Sequence, residues 1–362
     1  MNFTNSITRR QFLKRTISTI CGASAVTGCR PGGVTSHGNN QLNIFSWADY
    51  LHPQAIPEFE RRYGIKVVYD TFASNESLVT RMAAGSVDYD IVVPTNYGVA
   101  KLRHLNLLKP IDRERIPNRK YLMNRFTNMS FDPEGKYSVP YTFGTTGIAF
   151  NQKAYEDISG KPPGDWDVFW ESKMAGRMTL LEDSRETLGL ALKRAGHSYN
   201  SLSEQEIFSA AQALEQQKKL TMCYTSDQVI VYLASGDSRL SLAYSGDANQ
   251  ARRTNADVRY IIPSNGASVW IDNMCIPQSA PHENNALLWI NYILEPEVSA
   301  ALTNYTYYPT PNSAAQKLVS PDLLADKSLY PTNAVLDRCE EIKEVGDAIF
   351  IYDRAWTELK CI

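Results

Sequence analysis

The chain has 362 residues, of which 43% are hydrophobic, and its 37 Lys and Arg residues nearly balance its 39 Asp and Glu residues. This composition is typical of soluble globular proteins and excludes collagen-like, disordered and disulfide-scaffold classes. At roughly 100 to 200 residues per domain, the length predicts about two domains. No Lys/Arg-rich run lies beyond residue 15, so the sequence has no electrostatic footprint for nucleic acid.

The N-terminal segment has the features of an export signal. Arg9-Arg10 precedes Phe12-Leu13-Lys14, and a mildly apolar stretch without acidic residues follows at 16–27. This order predicts a twin-arginine signal peptide. The stretch ends in Val26-Thr27-Gly28-Cys29, which resembles a bacterial lipobox, so Cys29 is the predicted lipidated first residue of the mature protein. The alternative is a chance arginine pair with incidental cysteines.

Removal of the predicted signal peptide, residues 1–28, changes the formal net charge from −2 to −6, because four basic and no acidic residues are lost. Residues 29–41, rich in Gly, Ser and Asn, are predicted to form a flexible tether. No later segment approaches the about 20 apolar residues of a membrane span. The sequence therefore predicts a periplasmic protein that is attached to the membrane through the lipid on Cys29 alone.

Four cysteines remain after processing, at positions 223, 275, 339 and 361, and none has the spacing of a metal site. Cys275 lies in the apolar run Met274-Cys275-Ile276 and is predicted to be buried. An oxidising compartment would allow Cys339 to pair with Cys361, and the sequence leaves this pairing open.

From Leu42 onwards, short apolar strands alternate with helices. The hydrophobic pattern predicts strands 42–47, 65–72 and 89–93, and helices 57–63 and 76–84. Gly64 and Gly85 are the predicted helix stops. This order is typical of a β-α-β-α-β unit with a parallel sheet.

A comparable unit follows Tyr141. The pattern predicts strands 147–150, 178–181, 240–244 and 270–276, a helix that begins in the capping-box sequence Ser203-x-x-Glu206, an amphipathic helix 283–294, and helices within 321–362. The chain is therefore predicted to hold two α/β lobes, each a parallel or mixed sheet flanked by helices.

Aromatic and acidic side chains accompany five of the predicted strand ends. They are Trp47, Asp49 and Tyr50; Thr95 and Tyr97; Asp183 and Glu186; Tyr244 and Asp247; and Trp270 and Asp272. Ligands of open parallel sheets bind where the loops after the strands converge. Any one of these residues could instead be structural, as a core tryptophan or a helix cap.

The composition of this group favours an organic cation as ligand. Aromatic rings attract ammonium groups through cation–π contacts worth about 0.5 to 2 kcal/mol, and carboxylates accept their hydrogen bonds. No nucleophile-elbow, zinc-protease, P-loop or dinucleotide motif occurs. Asp183 and Glu186 could form the acid pair of a secreted hydrolase, or they could simply favour a helix N-terminus.

Eight segments carry a resemblance to a known family: Phe45-Ser-Trp-Ala-Asp-Tyr50, Gly64-Ile-Lys-Val-Val-Tyr69, Ser74-Asn-Glu76, Tyr89-Asp-Ile-Val-Val-Pro94, Asp183-Ser-Arg-Glu186, Ser245-Gly-Asp247, Trp270-Ile-Asp272 and Tyr308-Pro-Thr-Pro-Asn312. From about residue 42 onwards the chain resembles the periplasmic polyamine-binding proteins of ABC importers. The resemblance implies a two-lobed type II periplasmic-binding-protein fold with one ligand between the lobes. One lobe would comprise residues 42–145 and 268–315, and the other residues 146–267 and 316–362.

The resemblance also implies roles for individual residues. Trp47, Tyr244 and Trp270 match the aromatic walls of the family, Tyr50, Tyr97 and Tyr308 line the same cleft, and Asp272 matches a carboxylate for an amine. Asp183 and Glu186 match the pair that spermidine-preferring members use, whereas Asp49 and Asp247 match acids of putrescine-preferring members. Five acids favour spermidine, with its three ammonium groups, but putrescine remains open.

Three positions depart from the family pattern. Ala48 replaces a hydroxyl residue, Tyr244 replaces a tryptophan, and Glu340-Glu-Ile342 stands near a family glutamine in uncertain register. The implied protein is a monomer without cofactor that delivers spermidine or putrescine to a membrane permease. Another organic cation or an amino-acid-like metabolite is the alternative ligand.

Overall fold

A computed structural model describes residues 40–85 and 88–361. The predicted signal peptide, Cys29 and nearly all of the tether lie outside the described residues. The described residues form one compact unit. The described strands are β1 Gln41–Trp47, β2 Lys66–Phe72, β3 Ile91–Val92, β4 Ser138–Asn151, β5 Met178–Leu180, β6 Cys223–Tyr224, β7 Leu240–Tyr244, β8 Val258–Ile261, β9 Ser268–Cys275 and β10 Glu340–Glu341.

Helices flank the strands. They are α1 Ala55–Tyr63, α2 Asn75–Ala83, α3 Asn96–His104, α4 Gln152–Ser159, α5 Ser184–Arg194, α6 Glu204–Lys218, α7 Val229–Ser235, α8 Ser245–Thr254, α9 Glu283–Ile293, α10 Pro296–Thr306, α11 Ser313–Gln316, α12 Pro321–Ala325, α13 Asn333–Leu336 and α14 Ile349–Cys361. Short 3-10 turns lie at Arg113–Arg115, Pro117–Tyr121, Asn124–Phe126, Pro133–Gly135, Trp166–Trp170, Ser172–Met174 and Gly346–Ala348.

The first β-α-β-α-β unit is confirmed. β1 pairs in parallel with β2 on one side and with β3 on the other. Gly64 ends α1 in the left-handed region, at φ 66°, and its N–H bonds to the carbonyl of Glu60. Ser74 begins α2 with a reciprocal capping box to Ser77. The strand predicted at 89–93 is shorter, because only Ile91 and Val92 have ladder partners.

The second unit differs from the prediction in its central strand. β5 pairs in parallel with β6 and β7, but β4 extends over 14 residues and runs antiparallel to β7, β8 and β9. The strands form one mixed sheet in the order β2-β1-β3-β9-β4-β7-β5-β6, with β8 on β4 and β10 on β9. The predicted parallel or mixed sheet is therefore confirmed as a mixed sheet, in which the almost fully buried β4 runs antiparallel to its neighbours.

One of the two hydrogen bonds of the predicted capping box at α6 is confirmed. The hydroxyl of Ser203 accepts the N–H of Glu206 at 3.3 Å, as the capping box predicts. The carboxylate of Glu206, however, accepts a hydrogen bond from Ser201 at 2.5 Å rather than from the backbone of Ser203.

The hydrophobic core lies in separate clusters. One cluster draws on residues 148–267 and on α14. Two others cover opposite faces of β1: Leu42 and Ile44 pack towards α1 and α9, and Phe45 packs towards α2 and α3. A smaller cluster joins α11 and α12 to Ala300 of α10. The lobe boundaries given above stay a prediction.

The four described cysteines are free, and Cys275 is buried as predicted. Cys339 and Cys361 are therefore unpaired in this structure. Among the described helices, none combines the length and the apolar character that crossing a bilayer requires.

Candidate functional site

A cleft enclosing about 760 Å³ of space, including its open mouth, lies where the loops of both halves of the sheet meet. All twelve residues predicted for the site line it: Trp47, Asp49, Tyr50, Thr95, Tyr97, Asp183, Glu186, Tyr244, Asp247, Trp270, Asp272 and Tyr308. Most of them follow the carboxyl ends of parallel strands, as expected. Three residues are exceptions: Trp270 and Asp272 lie inside β9 rather than at its end, and Tyr308 follows α10.

Asp272 is the acid of the cleft whose pKa is raised most by burial. It is 3% exposed and pairs with Thr142 of β4, next to an irregularity in the ladder between Pro140 and Thr142. The hydroxyl of Tyr50 donates to its Oδ2, whereas its Oδ1 is buried without a hydrogen-bond partner. Burial raises the pKa of Asp272 to about 8, although the Tyr50 hydrogen bond opposes this. An ammonium group at Oδ1 would satisfy this atom and compensate the buried charge.

Three aromatic side chains form a wall beside Asp272. The ring of Trp270 lies 5.7 Å from that of Tyr244 and 5.6 Å from that of Tyr308, both edge to face. Two glycines make room for this packing: a Cβ at Gly144 would lie 2.5 Å from Trp270, and one at Gly246 would lie 2.3 Å from Tyr308. The small residues therefore let the rings approach the backbone.

Trp47 provides an aromatic surface elsewhere in the cleft and is half-buried. Its ring packs on Phe72, with ring centres 4.5 Å apart. The carbonyl of Trp47 accepts a hydrogen bond from the hydroxyl of Tyr69 at 3.1 Å, which ties the end of β1 to β2.

Asp247 and Asp49 provide further acids. Asp247 lies in the first turn of α8, 8% exposed, and the hydroxyl of Tyr308 donates to its Oδ1. Burial raises the pKa of Asp247 to about 7; the Tyr308 hydrogen bond lowers it, and the charge of Asp49 raises it. Asp49 itself is exposed and has a left-handed backbone at φ 52°.

Asp183 and Glu186 are bound by the protein itself. Asp183 caps α5, because its Oδ1 accepts the N–H of Glu186 at 3.0 Å. The carboxylate of Glu186 accepts hydrogen bonds from Thr146 at 2.8 Å and from Ser268 at 2.7 and 2.9 Å. Burial raises the pKa of both acids, and the hydroxyl donors oppose the rise at Glu186. The interpretation as helix-terminal acids is confirmed, and both side chains also line the cleft.

Thr95 is the N-cap of α3, and Tyr97 lies in its first turn. The N–H of Thr95 donates to Oδ1 of Asn75 at 3.0 Å, and Nδ2 of Asn75 donates to the hydroxyl of Tyr97 at 3.1 Å. The Tyr97 hydroxyl in turn donates to Glu76 at 3.3 Å. Burial and the nearby charge of Asp183 raise the pKa of Glu76.

The sequence reasoning missed several lining residues: Phe72, Ala73, Asn75, Asn96, Ser226, Asp227, Ile230 and Ile342. Ser226 and Asp227 follow β6, whose two residues are too few to show a strand pattern. The strand order, which places β6 beside β5, brings the residues after β6 to the same edge of the sheet as Asp183 and Glu186. Ile342 lies in the cleft, whereas Glu340 is bound to Lys193 and Ser198 and does not line it.

Four carboxylates in the cleft, those of Asp183, Glu186, Asp247 and Asp272, are at most 8% exposed. None of them takes part in an ion pair among the described residues. In 40–85 and 88–361, no group of three or more His, Cys, Asp or Glu side chains is placed to hold a metal ion. The site therefore combines buried carboxyl groups that lack an ion-pair partner with aromatic walls, which suits an organic cation with several donors.

Comparison with known proteins defines the class. The family model for bacterial extracellular solute-binding proteins matches residues 54–332. The chain is 33% identical over 323 residues to the spermidine/putrescine-binding periplasmic protein of Salmonella typhimurium, which covers 89% of this chain and 92% of the relative. The chain belongs to the bacterial extracellular solute-binding proteins.

Solved structures agree with this assignment. A Listeria monocytogenes protein assigned to a spermidine/putrescine ABC transporter superposes with a TM-score of 0.85 at 34% identity, over 89% of this chain and 99% of that one. The Tp0655 lipoprotein of Treponema pallidum superposes with a TM-score of 0.77 at 29% identity, over 88% and 99%. The fold is that of a type II periplasmic binding protein, and the family consists of solute-binding proteins rather than enzymes.

Proposed function

We propose that this protein captures a polyamine in the cleft and delivers it to the permease of an ABC importer. The observation that carries the proposal is Asp272, a buried carboxylate with one unpartnered oxygen beside the rings of Trp270 and Tyr308. A charge-assisted hydrogen bond in such a place contributes about 1.5 to 3 kcal/mol. The relative from Salmonella typhimurium, named a spermidine/putrescine-binding periplasmic protein, supports the same ligand class.

Spermidine is the proposed preferred ligand. Six acids line the cleft, against three ammonium groups of the ligand: Asp183 and Glu186 at α5, Asp247 at α8, Asp49 after β1, Asp227 after β6, and Asp272 in β9 beside the aromatic wall. A diamine leaves more of this negative charge uncompensated. The ligand-binding roles of Trp47, Tyr50, Thr95, Tyr97 and Tyr244 belong to the same proposal.

The test is isothermal titration of residues 42–362 with spermidine and then with putrescine. Tight one-to-one binding of spermidine and weaker binding of putrescine is the expected result. The reverse order would transfer the control of ligand length from Asp183 and Glu186 to Asp49 and Asp247. Absence of both interactions would overturn the proposal and favour another cationic metabolite.

Two lobes that close on the ligand are part of the proposal, with the boundaries 42–145 plus 268–315 and 146–267 plus 316–362. The core clusters on either side of β4 and β9 support this division.

We further propose that the protein acts as a monomer and makes or breaks no bond. Incubation with labelled spermidine should return the ligand chemically unchanged.

Export and anchoring are proposed from the N-terminal sequence. Arg9-Arg10 would direct twin-arginine export, and Cys29 would carry the lipid in the periplasm. The lipoprotein from Treponema pallidum is a related protein with this kind of attachment in its name. Replacement of both arginines by lysine should keep the precursor in the cytoplasm, and Cys29→Ala should abolish incorporation of labelled palmitate. Incorporation by the Cys29→Ala variant would place the anchor elsewhere.

A further inference from the structure

Asn96 lies between the predicted ligand residues Thr95 and Tyr97, at the first position of α3, and it lines the cleft. Its side chain is 1% exposed. Nδ2 donates to the carbonyl of Ile342 at 2.6 Å and to Oε1 of Glu341 at 3.0 Å. The contact joins residues 246 positions apart, so it belongs to the tertiary structure alone.

The orientation of the Asn96 amide follows from these partners. A carbonyl oxygen and a carboxylate oxygen are both acceptors, so the NH₂ group must face Ile342 and Glu341. The other end of the amide, Oδ1, is buried and has no hydrogen-bond partner in the described part of the chain. A buried acceptor without a partner is costly unless a donor reaches it.

The segment that Asn96 contacts is anchored on the other side of the cleft. Asn200 donates from Nδ2 to the carbonyl of Glu341 at 2.9 Å and accepts the N–H of Lys343 at 2.7 Å. Arg185 donates to the carbonyl of Lys343 at 3.0 Å. Residues 341–343 are therefore held by the region that contains α5.

A small apolar cluster surrounds the same contact. Tyr97, Tyr199 and Ile342 are buried together, with exposures of 8%, 0% and 1%, apart from the larger cores. The guanidinium of Arg185 lies 5.7 Å from the ring of Tyr97 and 4.5 Å from that of Tyr352. Residues of α3 thus meet the opposite side of the cleft through packed rings as well as through Asn96.

We propose that Asn96 couples ligand binding to closure of the cleft, because one amide group serves both sides. Its Oδ1 accepts an N–H of the cationic ligand, and its Nδ2 fastens α3 to residues 341–343. A ligand that donates to Oδ1 fixes the amide in the orientation that also makes the two contacts across the cleft. The inference rests on the proposed capture of a polyamine and adds a ligand-contacting residue to it.

The matched pair of variants is Asn96→Ala and Asn118→Ala. Asn118 also donates from Nδ2 to a backbone carbonyl, that of Asn291 at 2.9 Å, but it does not line the cleft. Stopped-flow measurements with spermidine should give Asn96→Ala a dissociation rate about tenfold higher, with a nearly unchanged association rate. Asn118→Ala should leave both rates within twofold. Wild-type dissociation kinetics in Asn96→Ala would overturn the inference.

Hydrogen exchange separates coupling from a purely structural role. In the wild type, saturating spermidine should slow amide exchange both in β9 and in residues 340–345. In Asn96→Ala at saturation, protection of β9 should remain while protection of 340–345 is lost. Retained protection of 340–345 in this variant would contradict the coupling.

The wild-type titration keeps the two ideas distinguishable. If the wild type binds neither spermidine nor putrescine, the proposed function fails. The contact is then judged in the ligand-free chain: faster exchange of residues 340–345 in Asn96→Ala than in Asn118→Ala supports it, and equal exchange overturns it.

Discussion

The acids of the cleft fall into two groups with different surroundings. The first group, called the Asp272 wall, joins the aromatic wall of Tyr244, Trp270 and Tyr308 to Tyr50, Asp247 and Asp272, and each of its acids accepts a hydrogen bond from a single tyrosine hydroxyl in the protein. The α5 end consists of Asp183 and Glu186, where a backbone N–H and two hydroxyls already bind the carboxylates. The carboxylates of the Asp272 wall are therefore left largely free for a ligand, whereas those of the α5 end are already hydrogen-bonded within the fold.

The difference follows from position in the chain. The α5 acids stand at a helix N-terminus, where backbone N–H groups and the helix dipole favour negative charge. Asp272 lies inside a strand whose backbone groups bond to neighbouring strands, so only side chains or a ligand can reach it. We therefore expect the wall to contribute more to ligand affinity and the α5 end more to folding.

The largest expected effect is that of Asp272→Asn. Loss of the charge that pairs with a desolvated ammonium should weaken spermidine binding about 30-fold or more, in line with about 2 kcal/mol or more for such a hydrogen bond. The variant should not lower the melting temperature of the ligand-free protein at pH 7, because an uncompensated buried acid is removed. Titration calorimetry and thermal unfolding measure the two quantities.

The matched control is Asp132→Asn. Asp132 is 1% exposed, and its carboxylate accepts the N–H groups of Tyr137 and Ser138 at 2.9 and 2.8 Å. This variant should lose stability and keep its affinity within twofold. Unchanged affinity of Asp272→Asn would remove Asp272 from the binding site.

The second prediction concerns pH. In the ligand-free protein the pKa of Asp272 is about 8 and that of Asp247 about 7, both raised by burial. A cation binds the ionised forms, whose fractions rise about 16-fold for Asp272 and about fourfold for Asp247 from pH 6.5 to pH 8, so affinity should rise about 60-fold and binding should release protons. Calorimetry in buffers of different ionisation enthalpy counts these protons. Proton uptake on binding would contradict the assignment, and Asp272→Asn should release fewer protons.

The same pKa values fix the sign of the stability change. The native state binds more protons than the unfolded state between the unfolded Asp pKa of about 3.9 and the folded values. The contribution of these two acids to the stability of the ligand-free protein therefore falls as pH rises from about 4 and levels off above their folded pKa values of about 7 and 8, and bound ligand should restore it.

Glu186→Gln should have a smaller effect on affinity, about fivefold, since Thr146 and Ser268 already solvate the carboxylate. It should also lower the melting temperature, because the amide group places donors against two hydroxyls that donate in the wild type. Glu206→Gln, in the cap of α6, is the control for stability without a change in binding. A Glu186→Gln variant that keeps its melting temperature and loses affinity 30-fold would contradict the idea that the α5 end contributes more to folding than to binding.

The smallest expected effect is that of Gly246→Ala, which tests the packing of the wall. The added Cβ would lie 2.3 Å from the Tyr308 ring, so the ring must move and its hydrogen bond to Asp247 must change. We expect about a threefold loss of spermidine affinity, measured by titration. Gly164→Ala, where a Cβ meets nothing within 4 Å, should have no effect. Equal behaviour of the two variants would mean that the position of Tyr308 does not matter.

Much of the site could be predicted because its residues follow strands. Trp47, Thr95, Asp183 and Tyr244 stand at or just past such ends, and the hydrophobic pattern locates the strands from neighbours in sequence. Ser226 and Asp227 escaped because β6 is a two-residue strand that exists only through its pairing with β5. The antiparallel course of β4 escaped for a similar reason, since alternation of side chains does not report strand direction.

The sequence by itself determined the order of strands and helices in the first β-α-β-α-β unit, the caps at Gly64 and Ser203, most of the acids and aromatics that gather in the cleft, and a family pattern spread over the chain. These features depend on residues a few positions apart. Only the tertiary structure decided which acids the protein satisfies for itself and which it leaves for a ligand. The deciding contacts join distant residues, such as Tyr50 to Asp272 across 222 positions and Asn96 to Ile342 across 246, and burial at those contacts sets the charge state.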